Sequence, residues 1–265
     1  MMLHTISSLQ ANFDAIGITA GQTLLVHSAM GKIGGVICGG AEAIIYALIN
    51  ILGDSGTLVM PTHSAHRRDP RTWYPPVSAE EQAIIRAEMP AFNPAFSPTS
   101  EMGAIPETFR SWEGVSRSSH PLGSFSAWGQ HRDYLTSEHP LEPMFGNSSP
   151  IGKLYSLDAH ILMLGVGYAN CTSLHLAEYR ADFKKEFHIE GTAIQTDNGR
   201  EWVTYEIQKL DTDDFETIGQ AYEQSHAEHV IIKQVGNAQT RLLHQAPLLD
   251  FAISWMSSNR SKALS

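Results

Sequence analysis

The 265-residue sequence has few of the features that mark disulfide-bonded, metal-thiolate or membrane proteins. Its two cysteines, Cys38 and Cys171, do not form a CxxC pair, so we expect small buried residues rather than a redox or zinc motif. No stretch of about eighteen apolar residues occurs, and the N-terminus lacks the basic segment and apolar run of a signal peptide. These absences predict a cytoplasmic protein.

Positive charge is also scarce. The chain has 18 Lys and Arg against 28 Asp and Glu, a formal net charge of −10 at pH 7, and no basic run exceeds a pair. A phosphate backbone or an anionic lipid surface would find little to bind, so we predict neither a nucleic-acid nor a membrane partner. The acidic balance favours a cationic small molecule, although many enzymes are acidic merely for solubility. No sequence feature fixes an oligomeric state.

Apolar runs that alternate with amphipathic segments predict an α/β fold. We expect helices at 5–15, 41–52, 149–157 and from about 172, and strands at 23–27, 56–60, 124–128 and 160–165. The order strand, helix, strand at 23–60 predicts a parallel pair. Between 63 and 106, seven prolines rule out one regular element, and we predict a substrate-side loop region there rather than a flexible surface excursion.

The pattern changes in the C-terminal third. Strands predicted at 187–194 and 201–207 flank the turn Asp197-Asn198-Gly199, as in an antiparallel hairpin. A helix capped by Asp213, strands at 230–234 and 240–243, and a last helix to Trp255 follow. We therefore predict one domain over residues 1–265, with a mixed sheet core, surrounding helices and an antiparallel and helical portion at 187–265.

Residues 162–182 carry the most chemical information, because a buried strand ends there at glycines and a helix follows. Thr172 stands where an N-cap belongs. His175, Glu178 and Asp182 then follow at spacings of three and four, so we expect them on one helical face. A histidine beside a carboxylate holds a fixed tautomer and suits general-base work at pH 7. The alternative is an ordinary amphipathic helix with a core histidine.

Two further clusters offer candidate anion sites. Residues 25–40 open from a strand into a loop with five glycines before a helix, which lets a ligand approach the backbone and favours an anion. A tight strand-to-helix connection is the alternative, and neither GxGxxG nor GxxxxGK[ST] is present. Arg117 lies beside Ser118 and His120, and its guanidinium is suited to holding a phosphate through two parallel hydrogen bonds.

In order and spacing, these clusters resemble the antibiotic N-acetyltransferase family, which includes the aminoglycoside 3-N-acetyltransferases. The resemblance covers nearly the whole chain and rests on Val26-His27-Ser28, Gly39-Gly40, Met60-Pro61-Thr62, Met89 to Pro94, Arg117-Ser118, His120-Pro121, Ser149-Pro150, Thr172, His175, Glu178 and Val235-Gly236. It implies a fold distinct from the GCN5-like acetyltransferases. It also implies direct acetyl transfer from acetyl-CoA to an amine, namely the 3-amino group of an aminoglycoside, and hence antibiotic resistance.

The resemblance also implies roles for single residues. His175 would be the base, Glu178 its partner or a substrate anchor, and Thr172 the group that stabilises the thioester oxyanion or the thiolate. The residues expected to hold CoA are Ser28, Lys32, Gly34, Gly39, Gly40, Arg117 and Ser118. Those expected to attract substrate ammonium groups are Asp69, Glu178 and Asp182. The sequence departs from the family pattern at Ala29, often serine, and at Asn93, often aspartate, which removes a charge from the loop expected to face a polycation.

Other functions are less consistent with the sequence. A metal-dependent hydrolase would use His63 with His66, or His175 with Glu178, but no HExxH spacing occurs and we expect no metal. A serine hydrolase is disfavoured because GxSxG is absent and Ser28 lacks flanking glycines. A family member that acts on a non-antibiotic amine, and a non-catalytic acyl-CoA or peptide-binding module, are the remaining alternatives.

Overall fold

A computed structural model describes residues 2–261, so Met1 and residues 262–265 of the predicted domain lie outside it. The strands are β1 (Leu3–His4), β2 (Thr23–Ser28), β3 (Val36–Ile37), β4 (Thr57–Pro61), β5 (Ser116–Arg117), β6 (Phe125–Gly129), β7 (His160–Leu164), β8 (Phe187–Thr196), β9 (Gly199–Gln208), β10 (Val230–Val235) and β11 (Ala238–His244). The α-helices are α1 (Ile6–Ile16), α2 (Gly40–Leu52), α3 (Ala79–Glu88), α4 (Ala104–Phe109), α5 (Arg132–Thr136), α6 (Pro150–Ser156), α7 (Leu174–Arg180), α8 (Phe215–Ser225) and α9 (Gln245–Asn259).

A seven-stranded sheet in the order β10-β11-β7-β2-β4-β6-β5 forms the centre of the fold. The three middle strands, β7, β2 and β4, run parallel, and the flanking strands on both sides pair antiparallel. Such parallel strands are apolar throughout because helices cover both faces. The predicted mixed sheet and the predicted parallel pair at 23–60 are therefore confirmed.

Neighbouring residues of the parallel strands point into two different cores, as the two-residue period of a strand requires. Leu25 and Ile161 belong to a core with side chains of α6 to α9, whereas Leu24 and Leu162 belong to a core with side chains of α1, α2 and α4. The helix after β2 thus lies on one face and the helix after β7 on the other. The carboxyl ends of these adjacent strands form a topological switch point, where α/β proteins commonly bind ligands.

The C-terminal portion contains the predicted hairpin and the strands that complete the sheet. β8 and β9 pair with each other over ten residues each, with Thr196 opposite Gly199 at the turn. The predicted strands at 230–234 and 240–243 are β10 and β11, and β11 joins the central sheet beside β7. The predicted antiparallel character of this region is confirmed.

The region 63–106 is irregular as predicted, apart from short 3-10 turns, α3 and the start of α4. The sequence analysis missed α3, although its start carries a capping box. The Ser78 hydroxyl accepts from the Glu81 backbone N–H, and the Glu81 carboxylate accepts from the Ser78 backbone N–H.

Across residues 2–261, no helix is both long enough and apolar enough to cross a membrane. The single-domain assignment stays a prediction.

Candidate active site

The main cleft lies where the parallel strands end. β2 ends at Ser28, β4 ends at Pro61 just before His63, and β7 leads through a turn into α7. The cleft has a volume of about 420 Å³. Its lining residues are His63, Ala65, Arg68, Thr72, Leu122, Met144, Phe145, Thr172, His175, His188, Glu190, Ile207, Gln208, Lys209 and Leu210. The cleft thus combines two residues predicted to be catalytic with a wall formed by the β8–β9 hairpin.

His175 is paired with Glu178 one helical turn further along α7. The distance from His175 Nδ1 to Glu178 Oε2 is 2.5 Å. Because an ionised carboxylate only accepts hydrogen bonds, Nδ1 is the donor in this contact. His175 also lines the cleft. The geometry therefore leaves Nε2 as the nitrogen that can take a proton from a bound ligand.

Two aromatic rings hold the imidazole of His175 in place. The Phe145 ring is stacked on it, with the centroids 5.1 Å apart and an interplanar angle of 11°. The Phe215 ring lies 4.9 Å away at a tilt of 58°. Rings packed at these distances restrict side-chain rotation and exclude water from the faces of the imidazole. Neither phenylalanine was predicted, because each reaches the site from a distant part of the chain.

The other carboxylate oxygen of Glu178 is occupied. Glu178 Oε1 accepts from Arg260 Nη1 at 2.7 Å and from the Asp211 backbone N–H at 2.9 Å. The Glu178 side chain is fully buried. A buried carboxylate needs such donors to remain ionised. With both oxygens in use, Glu178 is placed to act as the partner of His175, and the geometry does not support a second role as a substrate anchor.

The start and end of α7 differ from the prediction. Ser173 takes the cap position and the helix begins at Leu174, so Thr172 precedes the cap by one residue. Asp182 lies beyond the helix, which ends at Arg180, because Ala181 has an extended conformation with ψ of 148°. The prediction that Asp182 shares a helical face with His175 and Glu178 is therefore wrong. Its side chain is exposed, outside the residues that line the cleft.

Two smaller cavities are lined by residues at the end of β2 and in the glycine loop that follows it. One, of about 90 Å³, shares Thr172 with the main cleft and is also lined by His27 and Ser28. The Ser28 hydroxyl is buried and has no hydrogen-bond partner among the described residues. The other, of about 220 Å³, is lined by residues of the loop, including Gly34 and Gly40. Both of these glycines have positive φ, which other residues rarely adopt.

The remaining residues predicted near the glycine loop lie at the same end of the sheet. Lys32 is exposed and ends the short 3-10 turn that follows β2. Gly39 has a φ of 90° and forms the N-cap of α2. The chain thus brings Ser28, the loop glycines and an exposed lysine together beside the cleft.

Arg117 and Ser118 are placed differently from what the sequence analysis expected. Arg117 is buried and donates to Ser124 Oγ, the Ser97 and Thr62 carbonyls and Ser64 Oγ. Ser118 is fully buried, and its hydroxyl is bonded to His139 Nδ1 and the Phe125 backbone N–H. These contacts leave little donor capacity for a phosphate. The expectation that Arg117 and Ser118 hold CoA stays a prediction, and in this structure both side chains are engaged by protein groups.

Asp69 is likewise engaged within the protein. It is 1% exposed, and its carboxylate accepts from Arg86 and Arg71. These hydrogen bonds hold the pKa of Asp69 below its usual value even though burial opposes them. A carboxylate that two guanidinium groups already neutralise exerts little attraction on a substrate ammonium group. The geometry therefore does not support the predicted substrate role.

Several polar side chains that were not predicted as site residues line the cleft, among them His63 and Glu190. His63 Nδ1 donates to the Ser124 carbonyl at 3.1 Å, and its buried Nε2 has no partner among the described residues. Burial lowers the pKa of His63 to about 3, so the ring is neutral at pH 7. Glu190 is buried, and its Oε2 lies 3.6 Å from Arg68 Nε. His63 thus offers an acceptor to a ligand, whereas the Glu190 carboxylate is paired with Arg68 and also accepts from the Asp69 and Gly191 backbone N–H groups.

A metal site is not evident within residues 2–261, where no group of three or more His, Cys, Asp or Glu side chains is arranged to hold an ion. His63 and His66 do not converge on a common site, since His63 lines the main cleft and His66 an outer groove.

A family model described as aminoglycoside 3-N-acetyltransferase matches residues 25–257 of the chain. Among curated proteins, an SPbeta prophage-derived aminoglycoside N(3')-acetyltransferase-like protein, YokD, from Bacillus subtilis is 41% identical over 98% of the chain and 94% of its own length. An aminoglycoside N(3)-acetyltransferase III from Pseudomonas aeruginosa is 32% identical over 96% of the chain and 94% of its own length.

Solved structures agree with these matches. The crystal structure of YokD from Bacillus subtilis has a TM-score of 0.95 at 39% identity and covers 100% of the chain and 97% of its own. AAC-IIIb in a binary complex with CoASH has a TM-score of 0.88 at 27% identity, with both chains fully covered. AAC-VIa bound to sisomicin has a TM-score of 0.88 at 26% identity and covers 98% of the chain and 99% of its own.

Proposed function

This chain belongs to the aminoglycoside 3-N-acetyltransferase family, and on that premise we propose that it transfers an acetyl group to the 3-amino group of an aminoglycoside with His175 as general base. Acetyl-CoA is the co-substrate. The observation that carries the proposal is the 2.5 Å contact between His175 Nδ1 and Glu178 Oε2, near the carboxyl ends of the parallel strands. It fixes the tautomer in which Nε2 is basic.

The proton transfer follows from this tautomer. Acetyl-CoA supplies a thioester whose carbonyl carbon an uncharged amine can attack. Nε2 of His175 removes a proton from the bound amine, and the buried Glu178 carboxylate stabilises the imidazolium that forms. The new C–N bond replaces the C–S bond, and the CoA sulfur leaves as a thiolate. Thr172 lines both the cleft and the smaller cavity of about 90 Å³, which supports a role for its hydroxyl as a donor to the thioester oxygen or the departing sulfur.

The neighbouring cavities suit CoA. The buried Ser28 hydroxyl lacks a partner among the described residues and is available to an amide of the pantetheine arm. Gly34, Gly39 and Gly40 have positive φ, and Gly40 has open space where a side chain would project, so a ligand can approach the loop backbone there. Lys32 is exposed beside them and is placed to attract a phosphate.

Replacing His175 with alanine tests the general base. We expect kcat to fall by about two to four orders of magnitude, because proton removal loses its catalyst, with a change below about threefold in the KM for acetyl-CoA. The measurement is free-thiol release from acetyl-CoA with sisomicin as the acceptor. The matched control is His229→Ala, which removes an exposed histidine outside the cleft lining. Unchanged turnover in His175→Ala would remove the residue from this role.

The charges in the cleft favour a second candidate acceptor, an amine that also carries an anionic group. Arg68 and Lys209 line the cleft together with a single carboxylate, Glu190, which is a weak match for a polycation. Sisomicin should be compared with glucosamine and glucosamine 6-phosphate in the same thiol-release measurement. Under the main proposal, sisomicin gives the highest kcat/KM. A higher value for glucosamine 6-phosphate than for both other amines would establish the second candidate, and release with none of a broad amine panel would overturn acetyl transfer.

A further inference from the structure

Arg260 reaches the catalytic pair from the far end of the chain. It follows α9 directly and lies beyond residue 257, where the match to the family model ends. Its Nη1 donates to Glu178 Oε1 at 2.7 Å. Its side chain is 12% exposed, and the guanidinium lies over the Phe183 ring at 5.0 Å. This is therefore a desolvated, oriented contact rather than a loose surface ion pair.

A second carboxylate fixes the orientation of the same guanidinium. Arg260 Nε and Nη2 donate to the two oxygens of Asp214 at 2.8 and 2.6 Å, and Nη2 also donates to the Asp211 carbonyl at 3.0 Å. Bidentate pairing of this kind holds a guanidinium in one geometry. One continuous chain of hydrogen bonds consequently runs from Asp214 through Arg260 and Glu178 to His175, and it ends in the cleft.

We propose that Arg260 is a positioning residue for acetyl transfer, which clamps Glu178 and offsets its charge so that His175 is aligned and neutral when the amine binds. The proposal rests on the proposed function of His175. Without Arg260, the full negative charge of Glu178 would act on His175 and favour the imidazolium, which cannot accept a proton. A unit charge several ångströms from an ionisable group, at an effective dielectric constant between about 20 and about 80, changes its pKa by roughly one unit.

Several other titratable or charged groups lie on the elements around the pair, and each contributes to the electrostatic environment of His175 and Glu178. They are Tyr179 on α7, Asp182 and Lys185 after it, Glu142 and His139 in the loop between α5 and α6, His63 after β4, His188, Glu190 and Glu206 on the hairpin, and Lys209 and Asp211 after it. Substitution of Arg260 or Asp214 leaves this background unchanged. Differences between those variants and the parent protein therefore report on the chain of contacts itself.

Two variants change the net charge next to Glu178 in opposite directions. Arg260→Gln removes a positive charge beside Glu178, so the acid limb of kcat/KM should move to higher pH by about one unit. Asp214→Asn removes a negative charge but keeps Arg260, so the limb moves to lower pH. Arg260→Lys keeps the charge and should restore most of the parent profile. The control is Arg241→Gln, whose arginine pairs with Glu223 and has a similarly small exposure of 13%.

The measurement has two parts. The first is the pH profile of thiol release with sisomicin, and the second is the NMR titration of the His175 ring, assigned by comparison with His175→Gln. Opposite displacements in Arg260→Gln and Asp214→Asn, with none in Arg241→Gln, support the proposal. Parent-like titration midpoints in both Arg260→Gln and Asp214→Asn overturn it and leave Arg260 as a structural brace.

The NMR titration separates this inference from the proposed function. If His175→Ala retains turnover, the general-base proposal fails, while the ring titration still shows whether Arg260 acts on His175. If Arg260→Gln does not fold, Asp214→Asn and Arg260→Lys decide the matter, because an unchanged His175 midpoint in Asp214→Asn is then sufficient to overturn the proposal.

Discussion

Arg117 and Lys32 carry the same charge but lie in different surroundings. Arg117 is 8% exposed and spends its donors on four protein oxygens, and burial lowers its pKa to about 10. Lys32 projects from a short turn beside the glycine loop and is exposed. A cation whose hydrogen bonds are satisfied inside the protein gains little from a phosphate, whereas an exposed one is free to pair with it.

This contrast predicts opposite effects of two alanine substitutions. Arg117→Ala should lower the free energy of unfolding by about 3 kcal/mol, because buried acceptors lose a charged donor, and should change the KM for acetyl-CoA by less than about threefold. Lys32→Ala should leave the unfolding midpoint in urea unchanged and raise that KM by about threefold or more. Urea unfolding and steady-state kinetics check both. A large KM effect in Arg117→Ala at unchanged stability would return Arg117 to the CoA site.

Sequence reasoning found the pair His175 and Glu178 because their interaction is local. Residues three apart on a helix are neighbours whatever the rest of the chain does, and the distance of 2.5 Å confirms that they are in contact. Their catalytic roles stay predictions. Arg260 and Phe145 lie 82 and 30 positions from the residues they contact, Glu178 and His175, and nothing in the local pattern marks them.

At the scale of elements, the helix boundaries were predicted well where the sequence carries a capping signal and poorly where it carries none. The predicted helix at 149–157 is α6, because Ser149 caps it and Pro150 fits its first position. In contrast, α7 is only seven residues long and ends before Asp182, at a position without a glycine or proline signal. Since Asp182 sits beyond that end, the periodicity of three and four residues does not apply to it.

The β8–β9 hairpin illustrates a different relation between element and site. Its turn and alternating pattern are local, so the sequence predicted it correctly. Its contribution to the cleft was not predictable in the same way. Glu190 and Gln208 form part of the cleft wall because the hairpin packs against the segment after β4, where Glu190 accepts from the Asp69 backbone N–H and the Ala193 carbonyl accepts from the Phe92 backbone N–H. That placement depends on packing between segments far apart in the chain.

At the scale of the whole molecule, burial keeps several histidines uncharged. Burial lowers the pKa of His27 and His120 to about 4 and that of His63 to about 3, and it holds the pKa of His139 well below its usual value. In the unfolded chain these rings titrate near 6.5. Well above that pH the rings are neutral in both states, so titration of these histidines does not change the stability there.

Acidification should therefore destabilise the fold steeply below about pH 6.5. Between that pH and about 4, the unfolded chain binds protons that the native state excludes. The free energy of unfolding therefore decreases as the pH is lowered, by up to about 1.4 kcal/mol per pH unit for each histidine. Urea unfolding at pH 8.5, 7.5, 5.5 and 5.0 checks this, with a nearly constant midpoint between the first two values and a falling one below. A midpoint that stays constant down to pH 5.0 would contradict the neutral burial of these rings.

The sequence by itself determined the features that depend on neighbours along the chain. These are the apolar strands, the capped helices, the hairpin and the proximity of His175 to Glu178, because helix and strand periods place such residues without reference to anything distant. The tertiary structure alone decided which charges are buried and what they meet. It enclosed Arg117 and Asp69 in the protein and brought Arg260 to Glu178, because desolvation and ion pairing depend on which distant segments pack together.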